Sequence, residues 1–157
     1  MRGSAKQRLA LLQGLMDTDG CADVRGKCQF SSINRRLADA VAEIACSLGH
    51  WARVTTQRAQ LNGQDCGKVF SVAWRPLDPP FRLERKLVRW KPPTRRTQSY
   101  RWVTSCRQIG TVPVRCIQVE HPTGTFLCGR SFIPTHNSEC LAYHAREQAR
   151  SIPGSHT

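Results

Sequence analysis

Acidic residues are the scarce class in this 157-residue chain: 11 Asp and Glu stand against 24 Lys and Arg, a net charge of +13. Such an excess favours a polyanionic partner, held through phosphate neutralisation and counterion release. The eight cysteines, at 21, 28, 46, 66, 106, 116, 128 and 140, include no C-x-x-C, and no His pair sits at ligand spacing. That argues against a zinc module, and most of the cysteines read as small core residues in a reducing cytoplasm. No segment resembles a signal peptide, and no apolar run approaches the ~18 residues of a membrane span. There is no internal repeat. Apolar residues make up 39% of the chain, which suits one ordinary domain or two small pieces.

The charge is unevenly placed. Residues 76–110 hold nine basic and two acidic residues, whereas 111–157 hold four and three. A polyanion is therefore expected to meet the first two thirds of the chain.

From Ala5 to Met16, Leu9, Leu12, Leu15 and Met16 recur at helical spacing, and Asp17-Thr18-Asp19-Gly20 ends that helix. Cys28–Ser31 is expected to be a short strand, and Asn34 to cap a helix bearing Leu37, Val41, Ile44 and Leu48 and stopped by Gly49. Trp51–Gln57 and Lys68–Trp74 alternate like two strands with a turn at Asn62-Gly63. Residues 76–97 interleave prolines with Arg82, Arg85, Lys86, Arg89, Arg95 and Arg96, the texture of a linker or an extended basic crossing segment. Short β runs are expected at 101–103, 112–119 and 125–128, and a helix after Ser138.

The run Leu12-Gln13-Gly14-Leu15-Met16-Asp17-Thr18-Asp19-Gly20 resembles the LAGLIDADG motif, with replacements at its second, fifth and seventh positions. In its setting it resembles the second of the two motifs of DOD-type intein homing endonucleases. The resemblance implies half of an αββαββα saddle whose strands lie in the major groove of double-stranded DNA. It implies Asp19 as a ligand of Mg and Asp17 as the more structural acid, with two-metal phosphodiester cleavage shared between two such helices. Arg53, Arg58, Lys68 and Arg75 are the candidate DNA contacts. Lys68 is either the basic residue this family keeps near its metals or a solvated lysine. With one motif in this chain, cleavage of DNA is expected only as a dimer or when the missing half is supplied.

The closing third resembles the last two sequence blocks of inteins: Val114-Arg115-Cys116-Ile117-Gln118-Val119, then Phe126-Leu127, then Pro134-Thr135-His136-Asn137-Ser138. The resemblance implies the β-rich end of a Hint splicing domain, the horseshoe-shaped fold, with no cofactor. There the Asn137 amide closes on its own carbonyl and cuts the bond to Ser138, assisted by His136. Ser138 accepts the upstream host segment as an ester. Cys116 with Thr135 is similar to the trio that defines class 3 inteins, in which the Cys attacks the upstream junction as a thiolate.

The expected organisation is α+β: 1–75 an endonuclease half, 76–99 a basic linker, 100–137 the end of the splicing domain, 138–157 the start of the host protein. The expected partners are double-stranded DNA, an N-terminal intein half and the host. Ser138 opening a helix suits a host P-loop ATPase, such as a phage terminase or a helicase, or a surface helix of any host. The alternative to self-processing is an endonuclease module alone, or an inactive piece of an interrupted ATPase.

One experiment isolates the Asn137 chemistry. The purified chain held with a thiol should release a peptide beginning at Ser138, seen by mass spectrometry, and Asn137→Ala should abolish it. Continued release from the variant would refute the assignment.

Overall fold

A computed structural model describes residues 3–93, 104–108, 110–113, 115 and 117–136. Two compact units divide the chain: Met1–Ser105 with Arg130–Phe132, and Cys106–Gly129 with Ile133–Thr157. In the first, the order is α1 (Ala5–Asp19), β1 (Gly20–Ala22), β2 (Cys28–Ser32), α2 (Arg35–Ser47), β3 (Arg53–Leu61), β4 (Gln64–Trp74) and α3 (Glu84–Leu87). This is αββαββα, with one antiparallel sheet ordered β1-β2-β4-β3.

Local chemistry sets the ends of these elements. Ser4 and Gln7 form a reciprocal capping box on α1, and the Asn34 side chain accepts the Arg36 and Leu37 N–H groups on α2. Asn62 and Gly63 both take positive φ, 51° and 79°. That is the turn whose twist suits a two-residue hairpin, and it joins β3 to β4.

Strand alternation then sorts the side chains. Cys28, Phe30, Val72 and Trp74 are buried under the helices, against Leu12 and Met16 of α1 and Ala38, Val41 and Ala45 of α2. The α2 face differs slightly from the expected one. Leu37 is 37% exposed and the small residues Ala38, Ala42 and Ala45 take the contact, because they let the helix lie close to the sheet.

The expectation of a linker over 76–99 is corrected in its first part. Pro76, Pro80 and Phe81 are fully buried, α3 follows, and Leu87 and Trp90 pack against the core. Gly26 lies so close to this segment that a Cβ there would sit 2.2 Å from the Lys91 carbonyl oxygen. The prolines mark turns in a packed strap rather than an extended crossing.

Two further expectations are corrected. Of the described cysteines, Cys28 and Cys46 are buried, but Cys21, Cys66, Cys106 and Cys128 are exposed; Cys21 falls on the side of its strand turned away from the helices. In the second unit, no strand occupies the described part of 112–119, where Pro113 supplies no N–H to a ladder and Val112 and Ile117 are at least half exposed. The run 125–128 is a strand: β5 (Thr125–Cys128) pairs antiparallel with β6 (Ile133–His136). The expected strand at 101–103 and the helix after Ser138 lie outside the described residues. Among the described residues no helix is long and apolar enough to cross a membrane.

His50 follows α2 and is 4% exposed, its Nδ1 buried without a hydrogen-bond partner. Burial pushes the imidazole below its ordinary pKa, and Asp78 pulls weakly the other way. A folded-state value below the unfolded one, about 6.5, leaves stability intact above that pH. It is lost as pH falls, because the unfolded chain takes up a proton that the folded chain refuses. The denaturant midpoint should therefore drop between about pH 7.5 and about pH 5, and His50→Leu should flatten that drop; an equal slope in both proteins would exclude His50 as the source.

Candidate functional site

The chemistry gathers where α1 runs into β1. The helix ends on Asp17-Thr18-Asp19 with no basic residue in its last turn, so two carboxylates stand at the negative end of the helix dipole, an unfavourable placement. The compensation comes from far along the chain. Lys86 Nζ donates to the carbonyls of Met16, Thr18 and Gly20 at 2.9, 3.2 and 2.8 Å, and it lies 5.8 Å from the centre of the buried Phe81 ring. Carbonyls left over at a helix end are thus met by one ammonium.

Asp17 is turned to structure. Its carboxylate accepts the Arg82 N–H at 3.1 Å and the Leu83 N–H at 3.2 Å, where α3 starts. Gln13 ties the same strap to α1: its Nε2 donates to the Pro79 carbonyl at 2.9 Å and its Oε1 accepts Arg82 Nε at 3.0 Å. Asp19, two residues further, is exposed, and its carboxylate has no hydrogen bond or ion pair among the described residues. Gly20 is buried, and a Cβ there would lie 2.5–2.7 Å from Met16 atoms, backbone included. Glycine is required there for space.

Gly14, by contrast, faces open space, and Leu11 beside it on the helix is 55% exposed. This face of α1 is free of the domain's own core.

The sheet side opposite the helices is polar. Register sets Cys21, Gln29, Ala73 and Arg53 in one row and Ser31, Ser71 and Thr55 in the next, with Val69 opposite Gln57 beyond them. No acidic residue stands in these rows. Gln29 Nε2 donates to Ser31 Oγ at 3.3 Å along the same face. Arg75 continues the alternation just past β4. It lies close enough to Asp23 to help hold that carboxyl below its usual range, behind the larger effect of the Lys27 backbone N–H.

The four basic residues expected at DNA are therefore split. Arg53 and Arg75 belong to the polar face. Arg58 and Lys68 are register partners on the helix side of the alternation, out on the β3–β4 hairpin. Two like charges directly opposite repel, and Asp65 relieves this by pairing with Arg58, whose hydrogen bonds hold the Asp65 carboxyl low, assisted by the Gly67 N–H. Lys68 is two strands and four register positions from the start of β1, on the order of 16 Å between backbones. It is not gathered with Asp19.

Sequence reasoning placed Lys86 and its neighbours in a linker or crossing segment and passed over Gln29, Ser31, Thr55 and Gln57. A signal for the first existed: Arg82, Arg85, Lys86 and Arg89 are spaced i, i+3, i+4, i+7, one face of a helix, although prolines flank them. Among the described residues, no cluster of three or more His, Cys, Asp or Glu is arranged to hold a metal.

In the second unit, Thr135 stands opposite Phe126 and His136 opposite Thr125 across β5 and β6. Cys116, Asn137 and Ser138 lie outside the described residues.

Comparison with known proteins bears out the class: residues 6–68 match the LAGLIDADG-like domain family, and the αββαββα order agrees. The match starts at the first turn of α1 and ends within β4. Two curated relatives are similar to the chain. One, named replicative DNA helicase DnaB, from Mycobacterium intracellulare, is 37% identical over 142 residues, which is 88% of this chain. Another of the same name, from Mycobacterium leprae (strain TN), is 44% identical over 36 residues, 23% of the chain. The chain spans only 24% and 6% of the lengths of these relatives. No solved structure gives a significant match.

The cap on α1 is open to test. Replacing the ammonium by an isosteric thioether, Lys86→Met, removes charge-assisted bonds worth about 1–3 kcal/mol of unfolding free energy, readable as a lower denaturant midpoint. Lys86→Arg should recover part of it. A midpoint unmoved in Lys86→Met would show the contact to be idle.

Proposed function

We propose that this chain is the later part of an intein, seated in a replicative helicase, in which a LAGLIDADG-type DNA-cleaving half precedes the splicing site. The observation that carries the endonuclease reading is the exposed Asp19 carboxylate at the end of α1, in an αββαββα unit, while its neighbour Asp17 is consumed by structure. A single carboxylate is too little to hold a hard cation, and it is the share that one of two paired helices would contribute. Mg bound between two such carboxylates would activate water and stabilise the leaving oxygen.

This chain's own residues do the rest. Lys86 fixes the backbone on both sides of Asp19, so its carboxylate projects from a held turn. The open face of α1 around Gly14 and Leu11 suits a second helix of the same kind, in a partner or another part of the protein. The polar rows containing Arg53, Gln29, Ser31, Thr55 and Gln57 offer donors and acceptors to base edges in a major groove, with no carboxylate to repel phosphates.

The splicing reading is supported by the hairpin β5–β6, which delivers Thr135 and the backbone of His136 at the end of a strand, immediately before Asn137. There the Asn137 amide nitrogen attacks its own backbone carbonyl, the bond to the Ser138 nitrogen breaks, and His136 supplies the proton to that leaving amine. Cys116 is proposed as the thiolate that takes the upstream segment, as in class 3 inteins, and Ser138 as its acceptor. The relatives' name favours a helicase over a terminase as host, and such a protein works in the cytoplasm.

The endonuclease reading is tested by supplying a chain that bears a first LAGLIDADG motif and measuring Mg-dependent nicking of duplex DNA. Asp19→Asn should reduce nicking at least ~100-fold while DNA affinity is kept. Nicking that persists in the variant would remove Asp19 from the reaction.

A further inference from the structure

We infer that a second anion site lies beside the acidic turn: a pocket of about 110 Å³ formed by Gly20, Cys21 and Ala22 of β1 and Arg85, Lys86 and Arg89 of the α3 segment, which takes a phosphate of the duplex backbone. The inference rests on the DNA-binding reading and adds to it a contact off the sheet face.

The pocket is built by the strap that the sequence disguises as a linker. β1 is an edge strand of the sheet, and Lys86 of α3 is bonded to the Gly20 carbonyl at its start. That bond uses the Lys86 charge on the backbone. Arg85 on α3 and Arg89 in the turn that follows it line the same pocket, both are exposed, and neither has an ion pair among the described residues. No carboxylate lines the cavity.

The space exceeds what a single water needs and accommodates a tetrahedral oxyanion. Two guanidinium forks at its rim match phosphate oxygens bidentately, which ammonium groups do not. Gly20 directly follows Asp19, so a phosphate held here fixes the backbone close to the carboxylate of the cleavage site. A solvated basic surface would need no enclosing wall; here the β1 backbone and Lys86 supply one.

Binding of a random-sequence duplex, followed by fluorescence anisotropy over a series of KCl concentrations, tests this. Removing two phosphate contacts in Arg85→Gln/Arg89→Gln should reduce the slope of log affinity against log salt by about 1–2. Arg85→Lys/Arg89→Lys should keep the slope and lose affinity, because the charges stay and the forks go. An unchanged slope in a Gln double variant with wild-type thermal stability overturns the inference, while loss of affinity in Arg53→Gln/Arg75→Gln keeps the DNA reading standing. Inorganic phosphate that stabilises the wild type but not the Gln variant, with no change in slope, would identify a free oxyanion as the ligand and overturn the DNA contact. A wild-type chain that binds no duplex at low salt would sink the DNA reading and this site with it.

Discussion

The arrangement hangs on one ammonium group against one helix end. An α-helix that terminates in Asp17 and Asp19 places negative charge where its own dipole is already negative, and it brings no cation of its own to that turn. Lys86 restores the balance through three carbonyls, from a segment 66 residues beyond Gly20 in the chain. Because the ammonium bonds to the backbone and Asp17 bonds to Arg82 and Leu83, the turn is held without spending the Asp19 carboxylate. An unfavourable local choice kept in place by distant contacts is the usual mark of a working site.

The same economy governs the sheet. Its helix side is closed by Cys28, Phe30, Val72 and Trp74, which obliges the alternate residues to form the other side. That side carries Ser31, Ser71, Thr55, Gln29, Gln57 and Arg53, with Cys21, Ala73 and Val69 among them. The β3–β4 hairpin extends past this region, and there Arg58, Lys68 and Asp65 settle their charges among themselves. Basic residues of the hairpin thus differ in setting: Arg53 lies on the polar face, while Arg58 pairs with Asp65.

The two units make different demands of their sequence. Within the first, one helix motif, two hairpins and a strap enclose a common core, and the chemistry sits at the rim. In the second, the described ladder is the β5–β6 hairpin, whose last strand carries Thr135 and His136. The chain is similar, over 88% of its length, to part of a protein named as a replicative DNA helicase.

Much of this was legible in the sequence. The LAGLIDADG-like helix, the Asn34 cap, the Asn62-Gly63 turn and the strand Thr125–Cys128 are local features, set by periodicity, capping chemistry and positive φ within a few residues. β1 escaped because three residues carry too little alternation to register as a strand. Only the tertiary structure decided which arginines face away from the helices, since a side is defined by what the opposite side buries. The strap over 76–93 was hidden for a related reason. Its prolines advertise irregular backbone, but whether irregular backbone is loose or packed depends on an acceptor for Lys86 and a hollow for Phe81. The Lys86 acceptors, Met16, Thr18 and Gly20, stand 66 to 70 positions earlier in the chain.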